Sequence, residues 1–248
     1  MPKKSDVSQL FRSFKHPLDV SVPNATFRKF IENRFPEDEL TPLLAKLSAH
    51  YHRDQRRANG APYFNAHIAP VSIEFLDLAT MMGLNMEDIH KGFQSALLHD
   101  AWENMRTEKE RKNVKRLLRQ LEIDPDVLAI VEALTKRQLR AFKGTTEERE
   151  KTRVEEHLKN IDSLEGRLSK IALLVKLADR THNIATLHYL SPKFHEEYLQ
   201  ETREHFIPFF EERLPAQAVE RLHQAIRHHR ALTLLKGQVP RASNEKNR

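Results

Sequence analysis

Apolar residues recur at intervals of three and four along most of the chain, the spacing that gathers them on one side of an α-helix. The pattern predicts helices over about 24–35, 39–57, 68–82, 87–104, 107–121, 126–138, 145–160, 164–188, 192–213 and 215–235. Start signals agree with it. "TPLLAKL" and "SPKFHEEYL" place a proline at the first helical position behind Thr41 and Ser191, and "DPDVLAIVEAL" does the same behind Asp124. "TTEERE" sets glutamates just after a threonine, as a helix N-terminus prefers. No run of alternating apolar residues is long enough for a sheet strand. The expected fold is therefore all-α, one domain over 21–236. Polar stretches at 1–20 and 237–248 are expected to be flexible and disordered, respectively.

Composition narrows the classes. Of 248 residues, 31% are charged, 39% apolar and only 6 are glycine, which excludes fibrous and disordered types. There is no cysteine, so disulfide and thiolate chemistry are excluded. The first residues, "MPKKSDVSQLF", lack the apolar centre of a secretion signal, and no stretch approaches membrane-spanning length. The expectation is a cytoplasmic protein with no membrane partner. The net charge of +6 favours an anionic partner, a nucleic acid or a phosphorylated small molecule. "KERKNVKRLLRQL" is the densest basic run. Its apolar stripe (Val114, Leu117, Leu118, Leu121) makes the cations an outer face, either simply solvated or a collar for polyphosphate. Few aromatics accompany them, which disfavours single-stranded nucleic acid.

One stretch breaks the pattern. In "ALLHDAWEN", residues 96–104, an apolar helix runs straight into His99, Asp100 and Glu103. On a helix these three share an edge. Taken alone, the pair His99–Asp100 suits a core histidine beside a solvated carboxylate. Two further segments change the reading. "PYFNAHIAP" offers His67, and "LLVKLADRTHN" offers Asp179 at the polar end of an apolar helix, with Asn183 and Thr186 on the same face. His67, His99, Asp100 and Asp179 supply two nitrogens and two oxygens, a donor set for a divalent first-row cation such as Mn²⁺ with positions left for water and substrate. Such a cation suits phosphoester hydrolysis, and Glu103 could orient the attacking water or take its proton. His182 is read as a packed histidine bonded to the backbone. His223, His228 and His229 are read as part of a solvated basic helix.

Three segments, "HRDQRRANGAPYFNAH", "ALLHDAWEN" and "KLADRTHNIATL", resemble the hydrolase domain of RelA/SpoT proteins, a branch of the HD superfamily of metal-dependent phosphohydrolases. The likeness spans roughly residues 48–214. It implies removal of the 3′-pyrophosphate of the alarmones ppGpp and pppGpp, usually with Mn²⁺. It implies His67, His99, Asp100 and Asp179 as metal ligands and Glu103 as the residue acting on water. It implies Arg57 stacked on the purine, with Tyr63, Asn183 and Thr186 lining the nucleotide pocket. Gly60 and Pro62 are expected to turn the Arg57 loop toward the site. The short remainder of the chain is expected to leave a small, single-domain alarmone hydrolase, whose oligomeric state stays open.

The sequence departs from that pattern at three places. Asn104 stands where an Asp usually follows Glu103; an amide can hydrogen-bond water but takes no proton. Ala58 stands where Lys is frequent, and Asn59 where Ser or Thr is. Three classes follow: a guanosine-alarmone hydrolase, another phosphohydrolase acting on ppApp, NADPH or deoxynucleotides, and a non-enzymatic alarmone reader.

Overall fold

The computed structural model describes residues 21–103 and 107–238. In chain order the helices are α1 (Asn24–Arg34), α2 (Leu40–Tyr51), α3 (Ala69–Met81), α4 (Met86–Leu98), α5 (Glu108–Gln120) and α6 (Pro125–Leu134). They continue with α7 (Thr146–Asp162), α8 (Gly166–Ala185), α9 (Pro192–Glu201), α10 (Ile207–Arg213) and α11 (Ala216–Gln238). Among the described residues there is no strand, only an isolated bridge between Arg56 and Pro62. The protein is all-α. Segments 1–20 and 239–248 lie outside the described residues, as does Asn104. The first two residues of the expected tail, Gly237 and Gln238, close α11.

Most helix starts follow the local signals. Thr107 with Glu110, and Thr145 with Glu148, form reciprocal caps on α5 and α7. Asn85, Asp124 and Ser191 each accept a backbone amide of the helix they open. The start of α2 differs from expectation. Asp38 Oδ1 accepts from the amides of Leu40 and Thr41, so Asp38 is the cap. Thr41 is buried inside the helix, and its hydroxyl accepts from Gln94 at 3.0 Å. An ionised carboxylate caps more strongly than a hydroxyl already engaged elsewhere.

Two short π turns, Phe64–Ile68 and Thr202–Phe206, precede α3 and α10. Each ends two residues before a proline, Pro70 and Pro208. A proline has no amide to return to the carbonyl four residues back, and its ring crowds that carbonyl. The helix widens there instead: the amides of Ala69 and Ile207 reach back five residues, to Phe64 and Thr202.

One contiguous core joins all eleven helices of the described residues, α5 through Val114 and Leu118. At its centre α3, α4 and α8 meet. Gly92 makes the close approach, since a Cβ there would stand 2.0 Å from Phe75 Cζ and 2.8 Å from Ile171 Cγ2. This contact sets the end of α4 beside the end of α8 and the turn preceding α3.

Candidate metal centre

The predicted helix 87–104 ends at Leu98, and His99 through Glu103 lie in turns. His99 causes part of this. Its Nδ1 donates to the carbonyl of Ala96 at 2.7 Å, and the amide of Ala101 bonds Leu98 at 2.9 Å. The ring satisfies one terminal carbonyl and a tighter turn takes another. The three polar residues therefore do not share a helical edge. His99 and Asp100 face inward, while Glu103 sits exposed at the rim.

His67 enters from the first π turn and Asp179 from α8. His67 Nε2 is 3.3 Å from both Asp100 Oδ2 and Asp179 Oδ1. His99 Nε2 is 3.3 Å from Asp100 Oδ2 and 3.8 Å from Asp179 Oδ1. His67, His99 and Asp100 offer donor atoms all within 4.8 Å of one another. Adjacent donors around a cation with bonds of about 2.1 Å stand ~3 Å apart, so these separations suit a shared ion. The histidine chemistry fits as well. A carbonyl only accepts, so His99 Nδ1 carries the proton and the Nε2 lone pair turns to the carboxylates. That Nε2 is buried and makes no hydrogen bond. A buried imidazole nitrogen facing two carboxylates with no hydrogen bond of its own is an arrangement that a divalent cation fits.

A second ring of residues holds these donors. Tyr63 Oη donates to Asp100 Oδ2 at 2.6 Å. Lys176 Nζ donates to Asp179 Oδ2 at 2.8 Å, and Asn183 Nδ2 donates to Asp179 Oδ1 at 2.7 Å. His182 Nδ1 lies 3.0 Å from His67 Nδ1, so it bonds a site side chain. Burial works to raise the two aspartates, but His99 and His67 outweigh it at Asp100, and Lys176 with the histidines at Asp179. Both carboxyls are held well below their usual range. Burial opposes charge on His99, and the two aspartates overcome it, raising that ring well above its usual value. A cation entering here displaces protons from histidine, so its affinity rises with pH.

Glu103 accepts the amide of Lys136 at 2.9 Å. Loss of water on the side that meets the protein, and then the charge of Asp100, raise its pKa against Lys176 and the Lys136 amide. Lys136 itself is pulled down to about 8, first by burial and then by Lys176. Lys136, Lys176 and Arg180 all approach the Phe206 ring, at 5.5, 5.8 and 3.6 Å from its centroid. They form a cationic wall behind Asp179.

The Arg57 loop covers the other side. Gly60 turns it with φ +81°, and Arg57 N bonds Ala61 O at 2.9 Å. Arg57 Nη2 donates to Asn183 Oδ1 at 3.1 Å and Thr186 Oγ1 at 2.8 Å, and its guanidinium stands 5.7 Å from the Tyr63 ring centroid. A cleft of about 220 Å³ opens here, lined by Arg57, Ala58, Asn59, Tyr63, Thr186 and Tyr189 among others. A larger groove of about 290 Å³ between α1 and α2 is mostly apolar and holds none of these groups.

The structure sets the donor atoms of His67, His99 and Asp100 within 4.8 Å, with Asp179, Tyr63, Asn183, Arg57 and Thr186 linked to them by the contacts above and Glu103 at the exposed rim; Asn104 lies outside the described residues. Sequence reasoning missed Lys176 and the His182–His67 contact. Helical spacing could have found the first, three residues before Asp179 on α8. Among the described residues no helix is long and apolar enough to cross a membrane.

No family model matches the chain. The chain is 30% identical over 158 residues to the guanosine-3′,5′-bis(diphosphate) 3′-pyrophosphohydrolase of Haemophilus influenzae. That match covers 63% of this chain and 20% of the relative, so the chain corresponds to about a fifth of that protein's length.

Proposed function

We propose that the chain is a metal-dependent phosphohydrolase that removes the 3′-pyrophosphate of guanosine alarmones, giving GDP or GTP and pyrophosphate. The observation carrying this reading is the orphaned Nε2 of His99, aimed between Asp100 and Asp179 beside His67. The similarity to a ppGpp hydrolase supports the substrate class. His67, His99, Asp100 and Asp179 would hold the cation, with Mn²⁺ the preferred ion. A bound divalent cation supplies a more acidic water and a counter-charge for phosphoryl oxygens. Glu103, its pKa raised, accepts the proton of the attacking water. The bond between phosphorus and the ribose 3′ oxygen breaks, and that oxygen regains a proton. Arg57, fixed by Asn183 and Thr186, presents its planar cation to the base in the cleft. Lys136 and Lys176 face the charge that builds on phosphate.

The test is product analysis of the purified chain with Mn²⁺ and ppGpp, pppGpp, ppApp or NADPH. GDP and pyrophosphate from ppGpp are expected. Glu103→Gln should lose turnover and keep Mn²⁺ binding. Turnover of ppApp or NADPH alone would overturn the guanine assignment, which Ala58 and Asn59 in the cleft bear on. Full activity in Glu103→Gln would overturn the assignment of the proton acceptor.

A further inference from the structure

We propose that the outer face of α5 is an electrostatic collar that gathers the polyphosphate of an anionic substrate for the adjoining centre, an inference that rests on the hydrolase reading above. Lys109, Lys112, Arg116 and Arg119 recur at intervals of three and four, so they form one stripe of α5. At ~1.5 Å per residue the stripe is about 15 Å long, the scale of a nucleotide with its phosphates. All four side chains are exposed, and none makes an ion pair among the described residues. Arg116 reaches only Asn113 Oδ1, at 3.5 Å. On the neighbouring flank of the same helix Lys115 is paired, with Glu132 at 2.6 Å.

The position of α5 gives the stripe its direction. Val114 and Leu118 anchor the inner side in the core. The next flank carries Arg111 and Lys115. Arg111 Nη2 donates to the carbonyl of Trp102 at 3.3 Å, and Lys115 Nζ stands 5.3 Å from the Trp102 ring centroid. Trp102 immediately precedes Glu103. At about 100° per residue, the stripe lies on the outer face, nearly opposite Val114 and Leu118 and one flank beyond Arg111 and Lys115, whose side holds Trp102. Like charges one turn apart repel. Their field reaches about one Debye length, roughly 8 Å at physiological salt, so it acts on an anion that approaches α5 from solvent. With no aromatic side chain among them, the four groups select charge and not base.

The test replaces all four by glutamine (Lys109→Gln, Lys112→Gln, Arg116→Gln, Arg119→Gln) in the full chain. None touches the metal centre, so the melting temperature and its rise with Mn²⁺ should match wild type. Binding of inorganic tripolyphosphate to the metal-free chain, followed by calorimetry at low and high salt, should weaken about tenfold in the variant at low salt. The salt dependence should flatten. In turnover of ppGpp, kcat/KM should fall by a similar factor with kcat unchanged. Equal tripolyphosphate affinity in the two proteins would overturn the collar. So would loss of duplex RNA binding with tripolyphosphate affinity and kcat/KM both intact, since the stripe would then serve a nucleic acid. Stripe-dependent tripolyphosphate binding in a chain that hydrolyses nothing supports the collar and overturns the hydrolase reading, which keeps the two failures distinct.

Discussion

His99 concentrates the residue-scale argument. One nitrogen closes a helix end and the other faces two carboxylates, so a single ring both terminates α4 and joins the candidate donor set. Mn²⁺ should raise the melting temperature of the wild-type chain, because a ligand bound only to the native state stabilises it. In His67→Ala or Asp179→Ala that rise should vanish, and in Arg57→Ala it should persist, as thermal scans would show. His182 should matter at one remove. Loss of its contact with His67 Nδ1 in His182→Ala should weaken Mn²⁺ affinity by about 10- to 100-fold in calorimetry. The pH dependence has a definite sign. The folded-state pKa of His99 is raised, so without metal its proton stabilises the fold fully below the ordinary histidine pKa near ~6.5. That contribution fades as pH climbs from there through the raised value. The Mn²⁺-induced rise in melting temperature should grow over the same window. Of these residues, the ligand types could be read from the sequence. The partner of His182 could not, because a histidine on an apolar face bonds whichever polar atom the packing delivers.

At the scale of elements, the close packing of α3, α4 and α8 positions His67, His99, Asp100 and Asp179, and Gly92 permits it. Gly92→Ala would favour an isolated helix. Here its methyl must displace the fully buried Phe75 and Ile171. A net destabilisation of about 1–3 kcal/mol is expected in denaturant unfolding, with weaker Mn²⁺ binding as α4 shifts. Helix starts were legible because caps are local: Thr107, Thr145, Asn85, Asp124 and Ser191 each bond an amide two or three residues away. Ends were less so. The expected helix 39–57 stops at Tyr51, where the chain leaves to form the Arg57 loop, and 126–138 stops at Leu134, where Thr135 Oγ1 donates back to the Val131 carbonyl. Both π turns follow from prolines in plain view, at a fixed offset that periodicity does not register.

Across the whole molecule, α11 is tied to α3 by Arg221, which donates through Nε and Nη2 to the two oxygens of Glu74, each at 2.9 Å. Glu74 is 1% exposed, and burial raises its pKa to about 7 against the pull of Arg221. A carboxyl raised in the folded state contributes stability that is complete below ~4.5 and lost as pH rises through about 7. Arg221→Met removes the counter-charge and leaves the carboxyl buried. The cost should be about 2–4 kcal/mol near pH 8, below the usual range for a fully buried pair because Arg221 is 38% exposed on its side chain. It should shrink toward pH 6, where Glu74 takes up a proton. Unfolding at both pH values tests this, and a cost independent of pH would count against it.

Helix periodicity, capping and the presence of two histidines and two aspartates at polar breaks are properties of short windows, and each was readable along the chain. They establish an all-α fold and name the candidate donors. Contacts between distant segments are of another kind. Tyr63 on Asp100, Arg57 on Asn183 and Thr186, and Glu103 on the Lys136 amide join residues 33 to 129 positions apart. Each depends on how three packed helices set their ends together, a sum over the whole core. The exposed stripe on α5 shows the same division. Its spacing is local, but the seating of α5 on Trp102 through Arg111 and Lys115 is a product of packing.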